Sequence, residues 1–196
     1  VEIMIKKSLA IIAGGKSSRM NYNDKALLLY KEKTFIEHII NSGKSFDEII
    51  VISNNKYLSY VLPVKVYRDI YLGNGPLSGI HSALINAKYD KVLCIACDMP
   101  LISERSLNTI GSIIGEYEVL VPKIKGKLQP LCSIYSKSLI PKIEKALIEE
   151  QNKLQAFIRT TNYKIIEDKD YEELNEKYFL NINTTKEYND LLLLQD

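Results

Sequence analysis

The apolar positions of the chain fall into short runs separated by stretches with helical spacing. Leu9 to Ile12 is the first run, rich in β-branched side chains and closed by Ala13-Gly14-Gly15, which suits a buried strand. Glu48 to Ser53, Val64 to Tyr67 and Lys91 to Cys97 repeat that pattern. Between them, Phe35, Ile36, Ile39 and Ile40 give an apolar face to a helix reaching about Ser42. The capping box of Thr34 and Glu37 opens it and Gly43 stops it. Further helices are predicted over Ile80 to Ala87, Glu104 to Ile114 with Ser103 as cap, Ser138 to about Glu150, and Leu154 to Thr160. Thr184 and Glu187 form a second capping box, for a final helix ending in Leu191 to Leu194.

This alternation predicts an α/β fold of three layers, with a mostly parallel, doubly wound, Rossmann-like sheet. The rhythm lapses after Val119 to Pro122. A basic, glycine-containing turn, Lys123 to Lys127, leads straight into a second strand-like run, Leu128 to Tyr135, so an antiparallel excursion is expected there. Lys164 to Glu167 reads as an outer strand. No repeat, low-complexity segment or linker interrupts the chain, and residues 1–196 read as one domain.

Composition narrows the function classes. A hydrophobic content of 46% and a charged content of 26% are those of an ordinary globular chain. A formal net charge of +2 argues against a nucleic-acid-binding protein but leaves room for a local basic cleft. No apolar run reaches the roughly 18 residues needed to span a bilayer, and Val1 to Lys7 has no signal-peptide pattern, so a cytoplasmic location is expected. Cys94 and Cys97 form a C-x-x-C, but inside a strand residues three apart point to opposite faces, roughly 10 Å apart. They read as core thiols rather than a redox or zinc pair. His38 lies within the first helix without a partner in the sequence and reads as a surface or packing residue.

The candidate chemistry gathers where the first run ends. Two adjacent glycines let the backbone turn sharply and come close to a ligand, and the exposed N–H groups of such a turn hold anions. Lys16, Ser17, Ser18, Arg19 and Lys25 follow, so the stretch reads as a phosphate cradle. It is not a Walker loop: Gly15-Lys16-Ser17 matches the end of G-x-x-x-x-G-K-[ST], but the first glycine would fall at Ala10. The dinucleotide-binding G-x-G-x-x-G is absent as well.

Ala13-Gly14-Gly15 with Ser17, Arg19 and Met20, followed by Asp24-Lys25-Ala26-Leu27-Leu28, is similar to the signature of the molybdenum cofactor guanylyltransferases. So are Gly75-Pro76-Leu77-Ser78-Gly79, Asp98-Met99-Pro100, Gln129-Pro130-Leu131 with Tyr135, and Phe179-Leu180-Asn181-Ile182-Asn183-Thr184, in the family's order. Asn21 and Thr185 depart from it, standing where the family usually has glycine and proline. The resemblance implies a nucleotide site of Ile12, Ala13, Gly14, Gly15, Lys16, Ser17, Lys25, Asp69, Gly75, Pro76, Leu77, Gly79 and Asp98. Asn54, at the carboxyl end of its strand, is placed to touch a base or ribose, or equally to begin a helix. Gln129, Pro130, Tyr135, Asn181 and Asn183 fall on the acceptor side. Asp98 would hold Mg²⁺, which keeps several waters and bridges one or two carboxylates to phosphates. The Gly14-Gly15 pair points to guanine, where cytidylyl-type relatives tend to have alanine then glycine.

The implied reaction is attack by the phosphate of molybdopterin on the α-phosphorus of GTP, with release of pyrophosphate. A phosphate monoester has a second pKa of about 6 and is largely dianionic at neutral pH, so it needs no strong general base. The work left is alignment of two anions and stabilisation of the departing charge. Lys25 is assigned to the α-phosphate and Arg19 to the leaving phosphates, with Asp98 as the third catalytic residue. Other molybdenum-cofactor biosynthesis proteins and target molybdoenzymes are the implied protein partners. Two other readings stay open. One is a nucleotidyltransferase of this fold with another acceptor, whether CTP with molybdopterin or a sugar or polyol phosphate. The other is a non-catalytic GTP-binding regulatory protein.

Overall fold

The computed structural model describes residues 5–14 and 24–195. Its core is an eight-stranded sheet in the order β10-β7-β9-β6-β1-β4-β5, with β8 paired on β7. The strands are β1 (Ile5–Ile12), β4 (Phe46–Ile52), β5 (Lys65–Tyr67), β6 (Lys91–Ala96), β7 (Val119–Ile124), β8 (Lys127–Leu128), β9 (Cys132–Ser136) and β10 (Tyr163–Glu167). A small antiparallel hairpin, β2 (Leu29–Tyr30) and β3 (Lys33–Thr34), stands apart from it. The helices are α1 (Phe35–Ser42), α2 (Leu58–Val61), α3 (Pro76–Asn86), α4 (Glu104–Ser112), α5 (Ile140–Ile148), α6 (Leu154–Ile158) and α7 (Thr185–Leu192).

β1 lies inside the sheet, parallel to β4 on one side and β6 on the other. Its side chains alternate between two cores, as a strand covered on both faces must. Leu9, Ile11 and Ala13 pack with Ile36 and Ile39 of α1 and Leu107 and Ile110 of α4. Ala10 and Ile12 pack with α3, α5 and α6 through Ile80, Leu84, Ile143 and Phe157. The result is the three-layer, doubly wound arrangement that the alternation predicts. Cys94 and Cys97 fall into opposite cores, and both are buried and free.

The antiparallel excursion is β9, which runs against both β6 and β7. The run Leu128 to Tyr135 is not one strand, as the sequence suggests, but β8 and β9 joined by Gln129-Pro130-Leu131. Proline and the turn it requires break the ladder there. The helix expected to begin at Ile80 starts at Pro76, with Pro76 in the first helical turn and Gly75 as N-cap. Gly75 has φ 69° and ψ −160°, a conformation essentially confined to glycine. Pro76, Leu77 and Gly79 are therefore helix residues rather than loop residues.

Gly79 faces β1. A Cβ added there would lie 2.6 Å from Ile12 Cγ2, so the glycine permits α3 to press against the end of the central strand. Overpacking at such a contact costs about 1–3 kcal/mol. Gly79→Ala is therefore expected to lower Tm by several degrees in a thermal melt, at about 2–4 °C per kcal/mol for a chain of this size.

Candidate active site

In an open parallel sheet, ligands bind beyond the carboxyl ends of the strands, where the chain switches direction. Here the chain proceeds from β1 to β4 and β5 on one side, then crosses to β6 on the other. The crevice between the ends of β1 and β6 is that switch point. Hydrogen bonds carry the sheet past the strand ends. The Ala13 N–H donates to the Ile52 carbonyl (2.8 Å), the Cys97 N–H to the Ile12 carbonyl (3.1 Å), and the Ser53 N–H to the Tyr67 carbonyl (2.8 Å). Gly14, Ser53, Asp69 and Asp98 thus come off neighbouring strands at one edge.

Asp98 is the residue beyond Cys97. Its backbone carbonyl accepts from the Ile182 N–H at 2.8 Å, which brings the Asn181 to Asn183 segment against it. Phe179 and Ile182 anchor that segment in two separate apolar clusters. Lys25 sits in a 3₁₀ turn, Lys25–Leu27, capped by Asp24 and held down by the buried Ala26. Its Nζ donates to Asn183 Oδ1 at 2.7 Å and lies 4.0 Å from Asp98 Oδ2. Residues 25, 98 and 183, far apart in sequence, meet in one cluster.

A second acid lies on the other side of β1. Asp69 follows β5, and Asn54 faces it in a reciprocal pair: the Asp69 N–H donates to Asn54 Oδ1 (3.2 Å) and Asn54 Nδ2 donates to Asp69 Oδ2 (3.3 Å). A Cβ on Gly14 would lie 3.0 Å from Asp69 Oδ2, so the glycine leaves the carboxylate room beside the strand end.

Both acids hold an oxygen that is buried and has no hydrogen-bond partner among the described residues, Asp69 Oδ1 and Asp98 Oδ1. Buried polar atoms are nearly always satisfied, and each exception calls for an explanation. Burial raises the pKa of Asp98 above the usual carboxylate range, with the Lys25 ammonium working against the shift. Burial raises that of Asp69 too, opposed by the hydrogen bond from Asn54. A carboxylate whose folded pKa exceeds its unfolded value destabilises the ionised folded state, and the penalty disappears below the unfolded pKa of about 4. Asp69→Asn is therefore expected to raise Tm at neutral pH, with the gain over the parent protein shrinking as pH falls towards about 4. Thermal melts across that range would show a pH-independent difference if burial were not the cause.

Not every expected residue reaches the crevice. Tyr135 is fully buried in the core, and its hydroxyl donates to the Pro130 carbonyl at 2.6 Å. It shapes the Gln129-Pro130-Leu131 turn from beneath instead of lining the cleft, because the inward face of β9 takes a large apolar ring. That turn does reach the sheet edge: the Ala96 N–H donates to the Leu131 carbonyl at 3.0 Å. Leu77 is likewise fully buried. Gly75 and Pro76 stand exposed at the start of α3. Gly15, Lys16, Ser17 and Arg19 lie outside the described residues. Three polar residues that the sequence reading left without a role also belong here. Ser53 donates from its hydroxyl to the Ala13 carbonyl (3.1 Å), Ser82 Oγ accepts from the Ile70 N–H (2.9 Å), and Asn55 Nδ2 donates to Asp24 Oδ2 (2.7 Å). Only position after a strand could have singled out Ser53 and Asn55.

A mostly parallel sheet with two acids and a lysine at its switch point is an arrangement that an α/β nucleotidyltransferase can use. A domain profile described as MobA-like NTP transferase matches residues 9–167, and the chain belongs to that family. A "Probable molybdenum cofactor guanylyltransferase" of Clostridium perfringens (strain ATCC 13124) is 50% identical over 96% of this chain and 98% of its own. One of Carboxydothermus hydrogenoformans with the same description is 39% identical over 94% of each chain. Among solved structures, molybdopterin-guanine dinucleotide biosynthesis protein A of Archaeoglobus fulgidus superposes with a TM-score of 0.80. The match covers 95% of this chain and 97% of that one, at 23% identity, and so speaks to the fold. The protein is accordingly a nucleotidyltransferase. Among the described residues, no helix is long and apolar enough to cross a membrane.

Proposed function

We propose that the protein transfers GMP from GTP to molybdopterin, forming molybdopterin guanine dinucleotide and releasing pyrophosphate. The observation that carries this reading is the Lys25 ammonium 4.0 Å from Asp98 Oδ2 at the switch point, on a carboxylate whose other oxygen, Oδ1, is buried and has no partner among the described residues. The guanylyltransferase names of relatives at 50% and 39% identity support the choice of substrates.

Lys25 neutralises the α-phosphate as the acceptor's phosphate oxygen approaches. A bond forms from that oxygen to the α-phosphorus, and the bond to the bridging oxygen of the β-phosphate breaks. The electron pair leaves with pyrophosphate, whose charge Arg19 and the amides of the glycine turn stabilise. Asn183 orients the Lys25 ammonium through the 2.7 Å hydrogen bond. Gln129, Pro130, Asn181 and Asn183 face the acceptor.

Among the described residues, no group of three or more His, Cys, Asp or Glu forms a metal cage. A cation held by one carboxylate and by substrate phosphates needs no such cage, and the free oxygen of Asp98 fits it. Magnesium bound there would offset phosphate charge. The Gly14-Gly15 pair and the guanylyltransferase names of the relatives support GTP over CTP. Proteins of molybdenum-cofactor assembly and recipient molybdoenzymes are the proposed partners, and the cytoplasm the proposed location.

The test is pyrophosphate release with magnesium, each nucleoside triphosphate and each candidate acceptor. GTP with molybdopterin is expected to react, giving a dinucleotide identified by mass. Release with CTP, or with a sugar or polyol phosphate, would overturn the substrate assignment. GTP binding without release for any acceptor would favour a regulatory protein.

A further inference from the structure

Lys25 is placed by a chain of contacts that begins on a different strand. Asp24 uses both carboxylate oxygens. Oδ1 accepts from the Ala26 N–H at 3.0 Å and caps the 3₁₀ turn that carries Lys25. Oδ2 accepts from Asn55 Nδ2 at 2.7 Å. Asn55 is itself fixed twice: its backbone N–H donates to Ser53 Oγ (3.1 Å), and its Oδ1 accepts from the Tyr57 N–H (3.0 Å). The Ser53 hydroxyl in turn donates to the Ala13 carbonyl at the end of β1. An unbroken path thus runs from the glycine-ended strand through Ser53, Asn55 and Asp24 to the turn bearing the lysine. The turn is only three residues long and has little rigidity of its own, whereas Asn55 follows a buried strand.

We propose that Asn55 is a positioning residue for Lys25, acting through the Asp24 carboxylate. It deepens the guanylyltransferase reading and rests on it for the reaction measured. A displacement of about 1 Å in a reacting geometry lowers rate by up to about a hundredfold. Losing this contact therefore acts on turnover far more than on the fold.

The contact is isolated by Asn55→Asp. That variant keeps the acceptor for the Tyr57 N–H but sets a second carboxylate against Asp24. Its kcat is expected to fall about tenfold to a hundredfold, with the KM for GTP changed less than about threefold. Combining Asp24→Asn with Asn55→Asp reverses the polarity of the hydrogen bond while preserving the cap on Ala26. The exchanged pair is expected to recover most of the lost kcat. In a Lys25→Ala background, Asn55→Asp is expected to cost nothing further, because residues acting as one unit are not additive. Losses that multiply, or an exchanged pair no better than the single variant, would overturn the proposal. Should the parent protein form no product from GTP and molybdopterin, the substrate reading fails and the inference is decided by crystallography of Asn55→Asp. Lys25 Nζ displaced from Asn183 supports it, and an unmoved Lys25 overturns it.

Discussion

Lys25→Ala is expected to lower kcat by about 10²–10³, with a much smaller change in the KM for GTP. The loss falls on kcat because the charge on the α-phosphate and the bridging oxygen grows as the bond to pyrophosphate breaks. An ammonium aimed at that position stabilises the transition state more than the bound triphosphate. The fold is expected to persist. Lys25 is partly exposed, its contacts are the Asn183 amide and the Asp98 carboxylate, and the turn is anchored by Ala26 and by the Asp24 cap. Steady-state kinetics with a thermal melt on the same sample checks both halves. Turnover near that of the parent protein would remove Lys25 from the chemistry.

Asp98→Asn is expected to have an effect as large or larger, by about three orders of magnitude if the carboxylate holds a cation worth several kcal/mol in the transition state. The substitution keeps the size of the side chain and the backbone carbonyl that receives the Ile182 N–H, and removes only the charge. Because burial already opposes ionisation of Asp98, the ligand-free variant is expected to melt no lower than the parent at neutral pH. Loss of activity at undiminished Tm is the signature of a group retained for function at a cost in stability. A variant that is both inactive and unstable would instead make Asp98 a structural residue. Isothermal titration with GTP and magnesium adds a further readout, since magnesium-dependent affinity should disappear in the variant.

The sheet was readable from sequence because its strands are covered on both faces and its helices carry caps. Leu9 to Ile12 and Lys91 to Cys97 are near-continuous apolar runs, and the capping boxes at Thr34 and Thr184 form as the spacing requires. Asp98 was readable as a candidate because a carboxylate at the end of a buried strand rarely serves packing, and Lys25 because it ends the basic stretch after the diglycine and falls in Asp24-Lys25-Ala26-Leu27-Leu28, the segment that resembles the family's. The hairpin of β2 and β3 carried no such signal. Its turn places Lys31 and Glu32 at φ 44° and 65°, where asparagine and glycine would be expected. Tertiary contacts hold it instead, with Tyr30 and Phe35 packed on Ile182 and Leu191. Tyr135 misled because a motif position does not say which face of a strand is inward. The links of Ser53 and Asn55 to residues about 30 to 40 positions away were invisible for the same reason: side-chain hydrogen bonds across strand ends follow from register, and register emerges only when the sheet is assembled.

The central claim is that a single triphosphate lies across the end of β1 and reaches both Lys25 and Asp98. A crystal structure with magnesium and a GTP analogue that resists cleavage at the α-phosphorus tests it most directly. The account predicts an α-phosphate oxygen within hydrogen-bond reach of Lys25 Nζ, a cation between the phosphates and Asp98, and the base beside Asp69. A nucleotide bound elsewhere, with Lys25 and Asp98 touching neither phosphate nor cation, would contradict it.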